Sequence, residues 1–196
     1  MPQSTNKQEC IRQLFNIGAI RFGEFTYSSG VKGNNYIDLR TIMSEPALLK
    51  TVADFIQQAT TTCEYTLVSG VPFGALAFAT AFGVMHDVPI IMPRKVEKMH
   101  GTRRMVEGIY QPGQVCLLIE DVCTTGKSCL ETIAVLEREG IIIKDIVVVL
   151  DREQGGKAYL EQHGYRVHAL FTLSQLFQTL IELNLIDAHA GYACAS

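Results

Sequence analysis

Apolar positions recur along this chain with two different spacings, and their alternation lays out the elements. Within 6–17, Cys10, Ile11, Leu14, Phe15 and Ile17 fall at helical spacing and Gly18 follows as a stop, which predicts an N-terminal helix. The next stretch, FGEFTYSSGVKGNN, is rich in turn formers. It predicts two short strands at 25–27 and 36–39, in a small lobe appended to the core. Over 46–60, Leu48, Leu49, Val52, Phe55 and Ile56 keep a 3.6-residue period, with Ser44 as the expected cap and Pro46 in the first turn. Four apolar runs follow at 65–68, 88–92, 115–119 and 141–150, with helical patterns at 73–84 and 127–139 between them. Uninterrupted apolar runs suit strands buried on both faces. The order predicts an α/β fold with a mostly parallel central sheet, right-handed crossovers and flanking helices, to which 166–186 adds a strand and a helix.

No repeat, low-complexity tract or linker interrupts this pattern, so 1–196 reads as a single domain. It comprises an N-terminal helix and hood over about 1–42, then a core over 43–196 that contains one long loop, 93–108, without helical periodicity. A length of 196 residues and a hydrophobic share of 47% support one globular core and exclude fibrous or disordered classes. The formal net charge of -3 gives no general positive field for a nucleic acid backbone. No apolar run reaches the roughly 18 residues that cross a bilayer, and the polar start MPQSTNKQEC has no secretory apolar segment, so a cytoplasmic protein without membrane contact is expected. Cys10, Cys63, Cys116, Cys123, Cys129 and Cys194 form no CxxC pair, and reduced thiols are expected.

In an open parallel sheet, ligands bind beyond the carboxyl ends of the strands. Four segments there carry candidate chemistry. VCLLIEDVCTTGKS runs from a buried strand into Glu120 and Asp121, and then into hydroxyls and glycine before a helix. Backbone N–H groups at that helix start, with the hydroxyls of Thr124, Thr125 and Ser128 and close approach permitted by Gly126, suit a phosphate, while the acids suit vicinal ribose hydroxyls. The tail GKS is not a Walker motif, because the glycine required five residues before Gly126 is replaced by Asp121. VSGVPFG places glycines and Phe73 ahead of another helix. Segment 92–108 gathers Arg94, Lys95, Lys98, His100, Arg103 and Arg104, which reads either as a solvated charge run or as a lid that closes on an anion. DREQGG ends the strand IVVVL and sets Arg152 over the edge that carries Glu120 and Asp121, as a surface ion pair or as a two-point binder of a carboxylate.

Together these segments resemble the type I phosphoribosyltransferases and, more finely, the orotate phosphoribosyltransferases. IEDVCTTGKS is similar to that fold's phosphoribosyl pyrophosphate motif, with Cys123 where an aliphatic residue is more usual. FGEFTYSSG, YIDLR, SGVPFGA, RKVEKMHG and LDREQGGK extend the likeness over nearly the whole chain, and several of them resemble the orotate domain of animal UMP synthase. The resemblance implies transfer of a phosphoribosyl group from phosphoribosyl pyrophosphate to orotate, giving orotidine 5′-monophosphate and pyrophosphate in UMP biosynthesis. Catalytic roles fall on Lys98, His100 and Asp121. The sugar phosphate and pyrophosphate fall to Phe73, Arg94, Lys95, Lys98, His100, Glu120, Asp121, Val122, Cys123, Thr124, Thr125, Gly126, Lys127 and Ser128, and orotate to Tyr36, Ile37, Thr124 and Arg152. Mg²⁺ is implied as cofactor, held mainly by substrate and water with no direct protein cage. A homodimer with lid residues reaching the partner's site is implied, as is association with an orotidine monophosphate decarboxylase.

Two departures stand out: where the family commonly carries a lysine in a TLKSG-like turn, this chain has Ser28, and VKGNN replaces the usual basic and Ser-Pro pattern after it, with Lys32 near enough in sequence to substitute for the lysine. A charge-assisted bond to an anion contributes about 1.5–3 kcal/mol. Two alternatives stay open at this stage: a phosphoribosyltransferase for another base, and a catalytically weak homologue that binds nucleotides and regulates a partner.

Overall fold

The computed structural model describes residues 7–26, 32–94 and 105–187. Two compact units emerge, one formed by Met1–Thr51 with Leu173–Ser196 and the other by Val52–Thr172.

In the first unit, α1 (Lys7–Asn16) buries Cys10, Ile11 and Leu14, the stripe that its period predicts. Strands β1 (Ile20–Thr26) and β2 (Lys32–Ile37) pair antiparallel from Ile20 opposite Ile37, with a register shift between Phe22 and Phe25. Both strands begin earlier than the expected 25–27 and 36–39, and β2 ends two residues sooner; Tyr27 lies outside the described residues. The Asp38 carboxylate accepts the backbone N–H of Arg40 at 3.1 Å and the Asp38 carbonyl accepts the Thr41 hydroxyl at 3.0 Å, turning Leu39–Ser44 into a 3₁₀ helix. That helix absorbs Ser44, the expected cap of α2 (Pro46–Ala59). Instead the Glu45 carbonyl accepts the first α-helical bond, from Leu49 N at 3.0 Å. Helix α6 (Leu173–Glu182) buries Leu173, Leu176, Phe177 and Leu180. The Phe177 ring packs on Phe22 with centroids 5.0 Å apart, and Phe22 reaches Phe15 at 6.1 Å.

The second unit is a six-stranded sheet in the order β5-β4-β3-β6-β7-β8. Its strands are β3 (Leu67–Gly70), β4 (Ile90–Pro93), β5 (Val106–Glu107), β6 (Val115–Cys123), β7 (Ile142–Asp151) and β8 (Arg166–Thr172). All neighbours are parallel except β4 and β5. Val68, Leu117, Leu118, Ile119, Ile146, Val147 and Val148 are fully buried, as continuous runs require. Each such side chain contributes about 1.5–3 kcal/mol by leaving water. Helices α3 (Leu76–Met85), α4 (Lys127–Arg138) and α5 (Gly156–Gln162) join the strands. Helix α3 starts later than expected because 72–75 are spent on a turn. Two other departures bear on chemistry. The run 115–119 predicts a strand ending before the acids, yet β6 continues to Cys123 and its pairing with β7 includes Glu120 opposite Val148. Part of the expected loop is strand β5, whose Val106 and Glu107 pair with Pro93 and Met92. Among the described residues, no helix is long and apolar enough to cross a membrane.

Candidate functional site

The carboxyl ends of β3, β4, β6 and β7 lie on one edge of the sheet, because these strands are mutually parallel. The segments that follow them, 71–74, Arg94, 124–126 and 152–155, are the ones singled out by sequence.

Glu120 is only 3% exposed, and both bonds to its Oε2 come from the first turn of α4: Ser128 Oγ donates at 2.6 Å and Cys129 Sγ at 3.2 Å. Burial pushes this carboxyl up to about 7; Ser128 opposes the shift, and the adjacent Asp121 carboxylate adds to it. A buried acid that changes charge near neutrality can accept hydroxyl hydrogens when ionised. Asp121 is half-buried. A Cβ at Gly74 would overlap the Asp121 carboxylate, so a larger residue there would have to turn that side chain aside.

The loop 124–126 leads into α4 with Gly126 as N-cap, and no side chain caps the helix. Thr125, Lys127 and Ser128 are exposed there, as a phosphate cradle at a helix start requires. Val122 and Cys123 lie within β6. The Cys123 thiol is 2% exposed, and burial raises it to about 11, so its side chain is a packing group rather than a ligand. Lys127 pairs at 3.8 Å with Glu131.

Two backbone bonds pin the following loop to this one: Arg152 N donates to Cys123 O at 3.0 Å, and Gly156 N to Thr124 O at 3.1 Å. A Cβ on Gly156 would come within 2.6 Å of Cys123 Sγ and 2.7 Å of Thr124 O, so the close approach of the loops depends on that glycine. Arg152 therefore stands beside Thr124. Glu153 adopts a left-handed φ of 58°, and its N–H bonds Asp151 Oδ1 at 2.9 Å.

On the other side, Phe73 is 70% exposed in the turn after β3. Arg94 is held by Glu107, with Nη1 on Oε1 at 2.7 Å across the β4–β5 pair. A cavity of about 280 Å³ lies between these elements and α4, lined in part by Val71, Pro72, Arg94, Ser128 and Thr132. Sequence reasoning missed Glu107, Gly74, Gly156 and Cys129. The first pairs through a two-residue strand, and the others act only through contacts with residues distant in the chain.

Tyr36 and Ile37 belong to the hairpin of the first unit, where the Tyr36 ring faces Phe25 with centroids 5.7 Å apart. Lys95, Lys98, His100, Arg103, Arg104 and Ser28 lie outside the described residues.

No protein-family model matches the sequence. The chain is 38% identical over 193 residues to orotate phosphoribosyltransferase of Chlamydia felis, covering 96% of this chain and 93% of that one. It is 41% identical over 177 residues to uridine 5′-monophosphate synthase of Bos taurus, covering 89% of this chain but spanning only 37% of the bovine protein. Among solved structures, UMP synthase of Leishmania donovani superposes with a TM-score of 0.87 at 31% identity, over 96% of this chain and 41% of that one.

Proposed function

Because this chain belongs to the orotate phosphoribosyltransferase family, we propose that it transfers the phosphoribosyl group of phosphoribosyl pyrophosphate to orotate, forming orotidine 5′-monophosphate and pyrophosphate in pyrimidine biosynthesis. The observation that carries this reading is the pairing of two loops. An acid pair late in β6 leads into a hydroxyl-rich helix start, and a second loop carrying Arg152 is fastened to it by backbone bonds.

A pyrimidine nitrogen displaces pyrophosphate at ribose C1′, and charge grows on the sugar carbon and the leaving oxygens as the bond breaks. Thr124, Thr125, Ser128 and the amides of 124–128 hold the 5′-phosphate at the start of α4. Ionised Glu120 and Asp121 accept from the ribose 2′ and 3′ hydroxyls and fix the face of the sugar. Arg152 meets the orotate carboxylate or a ring carbonyl with its planar fork, and Tyr36 with Ile37 packs on the pyrimidine. Arg94, Lys95, Lys98 and His100 close on the pyrophosphate, excluding water and supplying the preorganised positive field that developing charge needs. His100 or Lys98 protonates a departing phosphate oxygen.

Mg²⁺, when bound with the pyrophosphate, would neutralise the leaving group. The solvent-reachable Asp121 carboxylate fits that role through water and the ribose hydroxyls, without a protein cage. The reading includes a cytoplasmic homodimer whose lid residues act in the partner's site. The match to UMP synthase supports cooperation with a decarboxylase that consumes the product.

The test follows orotate absorbance with phosphoribosyl pyrophosphate and Mg²⁺ for wild type, Lys98→Ala and Ser28→Lys. Orotate loss with stoichiometric pyrophosphate release, suppressed in folded Lys98→Ala, is the expected result. Neither orotate loss nor pyrophosphate release in wild type and Ser28→Lys would overturn the reading.

A further inference from the structure

At the far end of the same strands, three chemically different side chains meet that the transfer reaction does not use. Cys63 lies in the turn after α2, where its N–H bonds Thr60 O at 3.0 Å. Asp145 lies early in β7, and Arg166 and His168 open β8. Asp145 pairs directly with Arg166 in the ladder, and His168 sits two residues on, so the three side chains share one face of the sheet. The group is remote from the transfer site: Asp145 is six residues, roughly 20 Å of strand, from Asp151, which lies beside Cys123.

His168 Nε2 is the focus. It lies 2.8 Å from Asp145 Oδ1 and 3.5 Å from Cys63 Sγ, and one ligand atom from each of the three residues falls within 4.8 Å of the others. A neutral imidazole either donates or accepts at Nε2, according to its tautomer, and bonds only one of these neighbours well. A tetrahedral zinc-type ion with ordinary bond lengths would set its sulfur and nitrogen ligands about 3.5 Å apart, as observed, and its nitrogen and oxygen ligands about 3.3 Å apart, half an ångström wider than observed. Asp145 is 2% exposed, while Cys63 and His168 are partly exposed, which leaves a path for a cation and for a water in the fourth position.

Arg166 now forks onto Asp145, with Nε on Oδ1 at 2.8 Å and Nη2 on Oδ2 at 2.6 Å. Its side chain is 61% exposed and can give up the first bond while keeping the second. Oδ2 would then be hydrogen-bonded from outside, the usual arrangement for a carboxylate ligand.

We propose that Cys63, Asp145 and His168 form a site for one zinc-class divalent cation, with a water completing the tetrahedron and Arg166 orienting the carboxylate. On binding, the Cys63 thiol releases its proton to solvent and the imidazole proton resides on Nδ1. The thiolate–imidazole–carboxylate set selects a borderline-soft cation over Mg²⁺, which prefers oxygen and water. The bound ion ties the turn after α2 to β7 and β8.

The test titrates chelator-treated full-length protein with Co²⁺ in excess Mg²⁺. The expected result is one Co²⁺ per chain, with intense visible bands of tetrahedral cobalt and a thiolate charge-transfer band in the near ultraviolet. Cys63→Ser abolishes that band. Loss of even an outer-sphere partner costs metal sites about 10–100-fold, so His168→Gln weakens binding by at least about tenfold. Zn²⁺ raises the thermal midpoint of wild type more than that of either variant. Absence of stoichiometric binding, persistence of the charge-transfer band in Cys63→Ser, or equal Zn²⁺ stabilisation of wild type and His168→Gln would overturn the proposal. If Cys63→Ser fails to fold, the wild-type spectrum and His168→Gln decide it.

Discussion

Glu120→Gln should flatten the pH dependence of sugar phosphate binding. Burial holds the Glu120 carboxyl near 7 rather than at an ordinary glutamate value. Ribose hydroxyls donate to the ionised form, so ligand binding must be preceded by loss of that proton wherever the acid is neutral. A group titrating at about 7 is roughly nine-tenths ionised at pH 8 and one-tenth ionised at pH 6, so this residue alone weakens binding about tenfold over that interval. The phosphates of the ligand also titrate here, but they do so equally for both proteins. Dissociation constants for phosphoribosyl pyrophosphate with Mg²⁺, measured calorimetrically at pH 6 and 8, should therefore change about tenfold more for wild type than for Glu120→Gln.

Stability gives an independent reading with the same origin. The folded-state value lies above the unfolded one, so the favourable contribution of neutral Glu120 is complete below about pH 4.5 and is lost as pH rises through 7. At pH 8 the glutamine variant should unfold at higher denaturant, by about 1–3 kcal/mol after allowing for altered bonds to Ser128 and Cys129. An identical pH ratio in the two proteins would refute the assignment of Glu120 as the titrating ribose acceptor.

Gly74→Ala should lower kcat/KM by roughly 10–100-fold with little change in the thermal midpoint, because its Cβ must displace the Asp121 carboxylate from its place beside the turn. Unchanged kinetics in that variant would separate Asp121 from the reaction. Ser69→Ala should be neutral or stabilising by up to about 1 kcal/mol in urea unfolding, since the Ser69 hydroxyl is fully buried in β3 and has no hydrogen-bond partner among the described residues.

The sheet is legible in the sequence because β6 and β7 are buried on both faces, so that no polar residue interrupts 115–119 or 146–150. The same rule mislocates the end of β6. Glu120 and Asp121 look like loop residues, yet they continue the ladder because Ser128 and Cys129 satisfy the buried acid from the next helix, a contact that local periodicity does not carry. Strand β5 is illegible for a different reason. Two residues have no period, and Val106–Glu107 becomes a strand only by pairing with Met92–Pro93. The candidate residues Glu120, Asp121, Thr124 and Arg152 stand out in the sequence by type and order, and the structure brings the loops of Thr124 and Arg152 together. The glycines that let their loops touch, Gly74 and Gly156, become informative only when the neighbouring atoms are known.

Fastening the Arg152 loop to the Thr124 loop through Gly156 also has a thermodynamic consequence. On the proposed assignment of sugar phosphate and base to these loops, the two substrates share one close-packed joint, so neither affinity is a property of its own loop. A side chain forced between the loops, as in Gly156→Ala, would be felt by sugar phosphate and base together. By reciprocity each ligand would then change the other's affinity by the same factor, and the joint would act as the meter of cooperation between two binding events.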